Sequence, residues 1–179
     1  MPDQLIRGRE SGASEAALRC VDLARPALLY PSCDGVLGRT HEERGVVERQ
    51  DNIDEWAKTY SAPRSPAGAE LVERVLGTSL ANGYTTLHQA AEVAELLDLG
   101  SGDRALDLGA GRGWPGIHLA ERGCALVAAD LTVEAAMLAK ECIRAAGLQP
   151  QASIVVADGG ALPFRAGVFN AVVHADVLC

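Results

Sequence analysis

The stretch ALDLGAGRGWPGIHLAERG, from Ala105 to Gly123, decides the fold of this chain. An apolar run ends at the carboxylate of Asp107, and Gly109, Gly111 and Gly113 follow at alternate positions. Glycine permits the positive φ angles of a tight turn and lets backbone N–H groups approach a ligand directly. Beyond the glycines the apolar residues recur at helical spacing. The stretch therefore predicts a strand, a close turn and a helix, with the turn placed to hold a ligand.

Strands and helices continue to alternate on the C-terminal side of this stretch. The predicted strands are Ala105–Leu108, Ala125–Ala129, Ser153–Ala157 and Phe169–His174, and the predicted helices are Pro115–Arg122 and Glu134–Ala146. The strands are continuous apolar runs, which is typical of strands buried on both faces. This order predicts an α/β fold, a Rossmann-like open parallel sheet with helices on both faces. Ligands of such sheets bind at the carboxyl ends of the strands.

The N-terminal side of the chain is predicted to hold helices and an extension. DEWAKTY and AGAELVERVLG indicate two short helices, and Thr86 with Gln89 forms a capping box that begins a third. Residues 1–50 mix turn formers with charges, so we expect a poorly ordered or weakly docked extension there. The main domain is therefore expected over residues 51–179, with the N-terminal helices as its cap.

Composition excludes several classes of protein. An apolar content of 48 % allows a sizeable core, and no apolar run approaches the ~20 residues that span a bilayer. The start MPDQLIRGRE lacks the features of a signal peptide, so we expect a soluble, cytoplasmic protein without a membrane partner. The net charge of −8, without clusters of Lys or Arg, argues against nucleic acid as a partner. The five cysteines include no C-x-x-C pair and no His at ligand spacing, so no metal site is predicted.

The glycines fit two templates for cofactor binding. Gly111, Gly113 and Gly116 satisfy the dinucleotide pattern G-x-G-x-x-G, whereas Asp107 begins an acid-x-G-x-G-x-G pattern. A carboxylate at Asp107 would repel a pyrophosphate and would attract the ammonium group of an amino-acid tail. The residues therefore favour a cofactor without phosphate over NAD or NADP.

Acids at the next two strand ends support this interpretation. Asp130 follows the second strand, where it could accept both hydroxyls of an adenosine ribose, and Asp158 follows the third, where the adenine edge could donate to it. Both acids have a plainer interpretation, because Asp often caps helices and Asp-Gly is a common turn. Three acids at three successive strand ends together favour an adenosyl cofactor.

At these motifs the sequence resembles the Class I methyltransferases that use S-adenosylmethionine. The resemblance rests on ALDLGAGRGWPGIHLA, AADL, ADGGALPF and FNAVVHADVL, in that order, and covers roughly residues 82–179. It is strongest to the branch related to the ubiquinone and menaquinone methyltransferases. The activity that it implies is transfer of a methyl group from S-adenosylmethionine to a small-molecule acceptor.

The resemblance also implies roles for individual residues. Asp107 and the glycines at 109, 111 and 113 would surround the methionine part of the cofactor, and Asp130 would hold the ribose hydroxyls. The adenine would lie against Leu131 and be read by Asp158 and Gly159, and His174 would face the cofactor near the reacting centre. Residues such as Trp56, Tyr60 and Tyr84 close over the cofactor in this family, although packing is their more frequent role. The catalytic base stays unassigned, with His174 and Asp176 as candidates by location.

The chain holds fewer strands than the family implies. Class I methyltransferases have a seven-stranded sheet, and only four strands are predicted here, with the fourth at Phe169–His174. We therefore expect a truncated domain in which that strand is an exposed edge, and an exposed apolar edge favours a homo-oligomer. Two alternatives stay open: a truncated cofactor-binding module without turnover, and an NAD(P)-dependent oxidoreductase using Gly111, Gly113 and Gly116.

Overall fold

The computed structural model of the protein describes residues 19–22, 29–30 and 46–177, with side chains over residues 52–177. Its strands are β1 (Arg19–Asp22), β2 (Leu29–Tyr30), β3 (Arg104–Leu108), β4 (Ala125–Asp130), β5 (Ala152–Val156) and β6 (Ala171–His174). Its helices are α1 (Val46–Ser61), α2 (Pro66–Leu76), α3 (Leu87–Leu97), α4 (Gly116–Glu121) and α5 (Val133–Ala145). The four strands predicted from the apolar runs are thus confirmed, with ends that differ by one or two residues.

The strands form one open sheet in the order β2-β1-β6-β3-β4-β5. The pairs β1–β6, β6–β3, β3–β4 and β4–β5 are parallel, and only β2 runs antiparallel to its neighbour β1. Leu108 is in register with Ala129 and His174, and Asp130 is in register with Val156. The carboxyl ends of β3, β4, β5 and β6 therefore meet at one edge of the sheet, where a Rossmann-like fold binds its ligand.

The two faces of the sheet are covered differently. On one face, Ala105, Leu126 and Val173 pack with apolar residues of α3, α4 and α5, including Leu97, Ile117 and Ile143. On the other face, Leu106, Leu108 and Ala129 pack with the connection between β5 and β6, which contributes Leu162, Phe164, Val168 and Phe169. The rings of Phe164 and Phe169 meet edge to face with centroids 5.0 Å apart. Among the described elements, α3, α4 and α5 therefore pack on one face and the connection between β5 and β6 packs on the other, in the Rossmann-like arrangement that the sequence predicted.

The strand β6 is not an edge, contrary to the prediction. Residues Arg19–Asp22 pair with Ala171–His174 in parallel, so β6 lies between β1 and β3. This strand comes from the predicted N-terminal extension, of which only residues 19–22, 29–30 and 46–50 are described. The edge that the sequence placed at β6 is therefore occupied by the same chain.

Local sequence signals explain where the helices begin and end. The predicted capping box is present at α3: the Thr86 hydroxyl accepts from the N–H of Gln89, and the Gln89 side chain accepts from the N–H of Thr86 at 2.9 Å. Ser65 and Thr132 cap α2 and α5 in the same manner, through Gly68 and Ala135. None of the helices in the described ranges is both long enough and apolar enough to cross a membrane.

Candidate functional site

The glycine loop lies between the end of β3 and the start of α4, and its N–H groups at 109, 110, 111 and 113 donate hydrogen bonds within the protein. Gly109 and Ala110 donate to the carbonyl of Ala129, at 2.8 and 3.0 Å, and Gly113 donates to the carbonyl of Ala110 at 2.7 Å. The N–H of Gly111 donates to Asp130 Oδ2 at 2.9 Å. The expected approach of these N–H groups to a ligand is therefore not what the structure shows, because protein acceptors already bind them.

The glycines are needed because neighbouring groups approach the loop closely. Gly109, Gly111 and Gly113 all have positive φ angles, of 69°, 54° and 91°. A Cβ atom at position 111 would lie 2.5 Å from Asn82 Nδ2 and 3.0 Å from Tyr60 Oη, and one at position 109 would collide with Val177. The loop is therefore covered by the N-terminal cap helices on one side and by the segment after β6 on the other.

Asp107 lies fully buried beneath the loop. Its Oδ2 accepts a hydrogen bond from the N–H of Gly116 at 2.9 Å, which holds the start of α4 against β3. Its Oδ1 has no hydrogen-bond partner within residues 52–177. A buried carboxylate oxygen without a donor is costly, and an ammonium group supplies such a donor.

Burial also changes the protonation of this carboxyl. Loss of solvation raises the pKa of Asp107 to about 7, the hydrogen bond from Gly116 partly opposes that rise, and the nearby charge of Asp130 adds to it. The two predicted acids are therefore close enough to repel each other. A positive group between or beside them would relieve that repulsion.

Asp130 lies at the end of β4, 7 % exposed, and organises the loop opposite it. Besides Gly111, it accepts from the N–H of Thr132 at 3.1 Å and from the Thr132 hydroxyl at 3.3 Å, both on Oδ1. An ionised carboxylate has about four lone-pair sites and three are in use, so Oδ2 keeps room for about one further donor such as a sugar hydroxyl. The helix-leading interpretation of Asp130 is incomplete, because Thr132 rather than Asp130 caps α5.

The residues predicted to contact adenine lie at the same edge of the sheet but are more open. Leu131 is 41 % exposed directly after Asp130. Asp158 is exposed, and its Oδ1 accepts from the N–H of Gly160 at 2.8 Å, which is the turn interpretation of Asp-Gly. Gly159 lies against Leu108, whose Cδ1 would be 3.5 Å from a Cβ there. The structure thus brings Leu131, Asp158 and Gly159 to the ends of β4 and β5.

The end of β6 contributes His174 and Asp176. His174 is buried at the end of β6 and in register with Leu108 at the end of β3, and its predicted role of facing the cofactor stays a prediction. Asp176 Oδ2 accepts from the N–H of Tyr84 at 2.8 Å and from the Thr85 hydroxyl at 3.4 Å. Asp176 therefore ties the segment after β6 to the cap, which is a structural duty that the sequence did not indicate.

Tyr60 is the aromatic residue that covers the loop. Its hydroxyl lies near Gly111, and burial together with the charge of Asp130 raises the pKa of Tyr60 to about 12, while a hydrogen bond with Asn82 opposes the rise. Tyr60 is therefore a neutral hydroxyl at the site rather than simple packing. Trp56 and Tyr84, the other two candidates, are 58 % and 86 % exposed.

Two features were not predicted from the sequence: a polar cluster of Arg64, Asn82 and Arg112 beside the loop, and the close packing of Gly116 on Asp107. Asn82 Oδ1 accepts from Arg64 Nη2 at 3.0 Å and from Arg112 Nε at 3.2 Å. A Cβ at Gly116 would lie 2.6 Å from Asp107 Oδ2, so this position must be glycine for α4 to approach β3. No periodic pattern reports these contacts, because Arg64 and Asn82 are far from the loop in sequence. In the described part of the chain, no three His, Cys, Asp or Glu side chains are grouped to hold a metal ion.

A family model described as "Methyltransferase domain" matches residues 105–179. The match begins at β3, with the glycine loop, and includes Asp130, Asp158 and His174. It therefore covers residues 105–179 of the stretch 82–179 in which the resemblance was stated, and leaves out the cap helices.

Solved structures of similar fold include several methyltransferases. One is a SAM-dependent methyltransferase from Thiobacillus denitrificans in complex with S-adenosyl-L-homocysteine: identity 24 %, 54 % of this chain and 37 % of that chain covered, TM-score 0.42. Another is a putative S-adenosyl-L-methionine-dependent methyltransferase from Methanococcus maripaludis: identity 21 %, 79 % and 55 % covered, TM-score 0.43. A third is the [4+2]-cyclase SpnF: identity 21 %, 58 % and 43 % covered, TM-score 0.46.

The chain spans only part of these structures, between 37 % and 55 % of their lengths. No curated protein matches it.

Proposed function

We propose that this chain binds S-adenosylmethionine at the carboxyl ends of β3, β4 and β5 and belongs to an enzyme that transfers its methyl group to a small-molecule acceptor. The proposal is supported by the family match over residues 105–179 and by the arrangement of acids at the strand ends. The relation to the ubiquinone and menaquinone branch is part of the same proposal and rests on the sequence motifs alone. A cytoplasmic location stays a prediction from the sequence.

One observation carries the choice of cofactor class: the loop N–H groups already have protein acceptors. Those of Gly109, Ala110 and Gly113 bind carbonyl groups, and that of Gly111 binds the carboxylate of Asp130. A dinucleotide pyrophosphate in this fold needs such N–H groups and the positive end of a helix. A carboxylate in their place repels phosphate. The site therefore favours a cofactor without phosphate, as the sequence predicted.

The residues present fit the adenosyl and amino-acid parts of such a cofactor. Asp107 Oδ1 lacks a donor among the residues described, and the ammonium group of an amino-acid tail would provide one. Asp130 Oδ2 keeps a lone pair for a ribose hydroxyl, and Leu131 offers an exposed apolar side chain next to it. When bound, S-adenosylmethionine supplies a methyl group on a sulfonium centre that is already activated for displacement.

What the chain contributes to the reaction is orientation. Asp107 and Asp130 fix the loop from below, through Gly116 and Gly111, so the ligand surface is rigid before binding. Positioning of two reactants in line accounts for a large part of the rate of such displacements. Tyr60 is protonated at neutral pH, as tyrosine ordinarily is, and its raised pKa of about 12 extends this range, so its hydroxyl can donate a hydrogen bond at the site. No group in residues 52–177 is assigned here as the base for the acceptor.

The test is isothermal calorimetry with S-adenosylhomocysteine and with NAD. We expect S-adenosylhomocysteine to bind and NAD to bind more weakly or not at all. The variant Asp130→Asn should weaken S-adenosylhomocysteine by about 1–3 kcal/mol, the cost of removing a charged acceptor from hydroxyl donors. Tighter binding of NAD would replace this proposal with the oxidoreductase alternative.

Turnover is a separate question from binding, so a second assay distinguishes the module from the enzyme. If S-adenosylhomocysteine binds and no methyl transfer occurs with any acceptor tested, the chain behaves as the binding module without turnover. Asp130→Asn is also expected to lower stability, since Asp130 accepts from Gly111 and Thr132. Circular dichroism and a melting curve on the variant separate lost binding from lost folding.

A further inference from the structure

If the proposed function holds, the carboxylate of the cofactor's amino-acid end needs hydrogen-bond donors in the site. That end is a zwitterion, so its site needs an acceptor for the ammonium group and donors for the carboxylate. Asp107 and Asp130 provide acidity on the strand side of the loop. The loop itself provides no donors at Gly109, Ala110, Gly111 or Gly113, since these N–H groups bind protein acceptors.

Two guanidinium groups meet at Asn82, whose side chain lies against Gly111 of the loop. Arg112, within the loop, donates through Nε to Asn82 Oδ1 at 3.2 Å, and Arg64 donates through Nη2 to the same oxygen at 3.0 Å. Like charges are thus brought together on a neutral amide oxygen. The arrangement is electrostatically unfavourable in itself, and the charge of Arg112 contributes, after burial, to a lowered pKa of Arg64.

The two arginines differ in what their terminal nitrogens do. Both terminal nitrogens of Arg64 donate to backbone carbonyls: Nη1 donates to that of Ser79 and Nη2 to that of Ala81, both at 2.8 Å. Arg112 donates a hydrogen bond only through Nε, and its two terminal nitrogens have no acceptor in the described part of the chain. A guanidinium with free terminal N–H groups binds a carboxylate with two parallel hydrogen bonds.

Arg112 is also close to groups that surround the loop: its Nε donates to Asn82 Oδ1, and its charge acts on Tyr60 and on Cys142 of α5. It is half-buried, and its charge lowers the pKa of Tyr60, whose hydroxyl lies over Gly111 and close to Asp130. Asn82 lies against Gly111 as well, with Nδ2 2.5 Å from the position of a Cβ there. Arg112 therefore lies among residues of the candidate site and is not a fully solvated side chain.

We propose that Arg112 binds the carboxylate of the cofactor's amino-acid end, and that Arg64 acts through Asn82 as a positioning residue. The site then has acids on the strand side and a guanidinium on the cap side. This polarity matches a zwitterion in one orientation, with its ammonium group toward Asp107 and its carboxylate toward Arg112. It also assigns the cap an indirect part in binding, because Arg64 and Asn82 lie in the connections between the cap helices.

The test compares two ligands on a set of variants by calorimetry. S-adenosylhomocysteine carries the carboxylate, and decarboxylated S-adenosylhomocysteine keeps the ammonium group and lacks only the carboxylate. The variants are Arg112→Ala, Arg112→Lys and Arg64→Ala, with Arg144→Ala as the control. Arg144 is exposed in the last turn of α5, so its removal changes the net charge equally without touching the site.

The expected result is a loss that depends on the ligand. Arg112→Ala should weaken S-adenosylhomocysteine at least tenfold and leave the decarboxylated ligand within about twofold, and Arg112→Lys should recover only part of the loss because Lys lacks the fork. Arg64→Ala should act in the same direction, less strongly. The control should bind both ligands as the unchanged protein does.

The other outcomes overturn either the assignment of Arg112 or the proposed function. Equal binding of the two ligands to the unchanged protein overturns the assignment of Arg112 without any variant having to fold. Unchanged binding of S-adenosylhomocysteine to a folded Arg112→Ala, while Asp130→Asn weakens both ligands, also overturns it and leaves the proposed function standing. Failure of both ligands to bind the unchanged protein overturns the proposed function itself.

Discussion

At the scale of single residues, Asp107 shows how one carboxyl combines two duties. It holds α4 to β3 through Gly116, and it keeps one oxygen without a donor within the described residues. A protein tolerates such a group when it is neutral or when a ligand completes it. The sequence placed Asp107 at the strand end correctly, but full burial and the elevated pKa follow from tertiary packing that no local pattern reports.

The raised pKa of Asp107 predicts a pH dependence of stability. The folded protein keeps this proton up to pH about 7, whereas the unfolded chain loses it near 3.8, so the folded state binds more protons between these values. The contribution of Asp107 to the free energy of unfolding is therefore fully present below about pH 4 and is lost as pH rises through 7. By the cost of one pKa unit, the loss is at most about 4 kcal/mol.

The variant Asp107→Asn isolates this effect, because Asn does not titrate and its oxygen can still accept from Gly116. Urea unfolding at about pH 5 and about pH 8 should show a larger fall in stability for the unchanged protein than for the variant. Equal falls in the two proteins would mean that other groups cause the pH dependence and that Asp107 is ionised throughout.

At the scale of elements, the sequence predicted what local patterns encode. Continuous apolar runs marked β3 to β6, and Thr86 with Gln89 marked the start of α3 to the residue. The strands β1 and β2 were not predicted, because RCVD and LY are short and become strands by pairing with β6 and with each other. The contacts of Arg64 and Asn82 with the loop were missed for the same reason: they join distant parts of the chain.

The packing of α4 on β3 depends on Gly116, and this predicts a mutational effect. In Gly116→Ala the new Cβ would lie 2.6 Å from Asp107 Oδ2 and 3.0 Å from Leu126 Cδ1, both in the buried core. Overpacking of this kind costs about 1–3 kcal/mol. Gly100→Ala is the matched control, since nothing lies within 4 Å of a Cβ there. Thermal melting of both variants measures the difference, and equal melting temperatures would show that α4 moves away at no cost.

At the scale of the whole molecule, the candidate site lies where the cap contacts the carboxyl edge of the sheet. The indole N–H of Trp114, in the loop region, donates to the carbonyl of Thr85 at 3.0 Å, and Asp176 after β6 accepts from Tyr84. These contacts join the cap to both flanks of the glycine loop. The family match begins at residue 105, so these contacts join the matched part of the chain to residues that precede it.

The pairing of β1 with β6 determines whether an edge is open to a second copy. The double variant Cys20→Pro with Val21→Pro removes two successive N–H donors from β1, and neighbouring N–H groups in a strand point to opposite sides. One of the two therefore faces β6. We expect the variant to unfold at a lower temperature and to self-associate, because the exposed β6 edge favours strand pairing between molecules.

Size-exclusion chromatography with light scattering measures this self-association. The matched control, Cys20→Ala with Val21→Ala, keeps both N–H groups and should behave as the unchanged protein does in oligomeric state. A monomeric proline variant of unchanged stability would show that β1 does not protect β6, and the homo-oligomer predicted from the sequence would lose its physical basis.

The position of β6 also fixes an order of events during synthesis. Residues 19–22 leave the ribosome long before residues 171–174, by about 10–30 s at typical elongation rates of about 5–20 residues per second. During that interval β3, β4 and β5 can pair along the chain, while β1 and the free side of β3 wait for the same late strand. Among the described strands, β6 is therefore inserted after synthesis of the two strands that flank it, and in the nascent chain β1 and the free side of β3 stay unpaired until β6 is made.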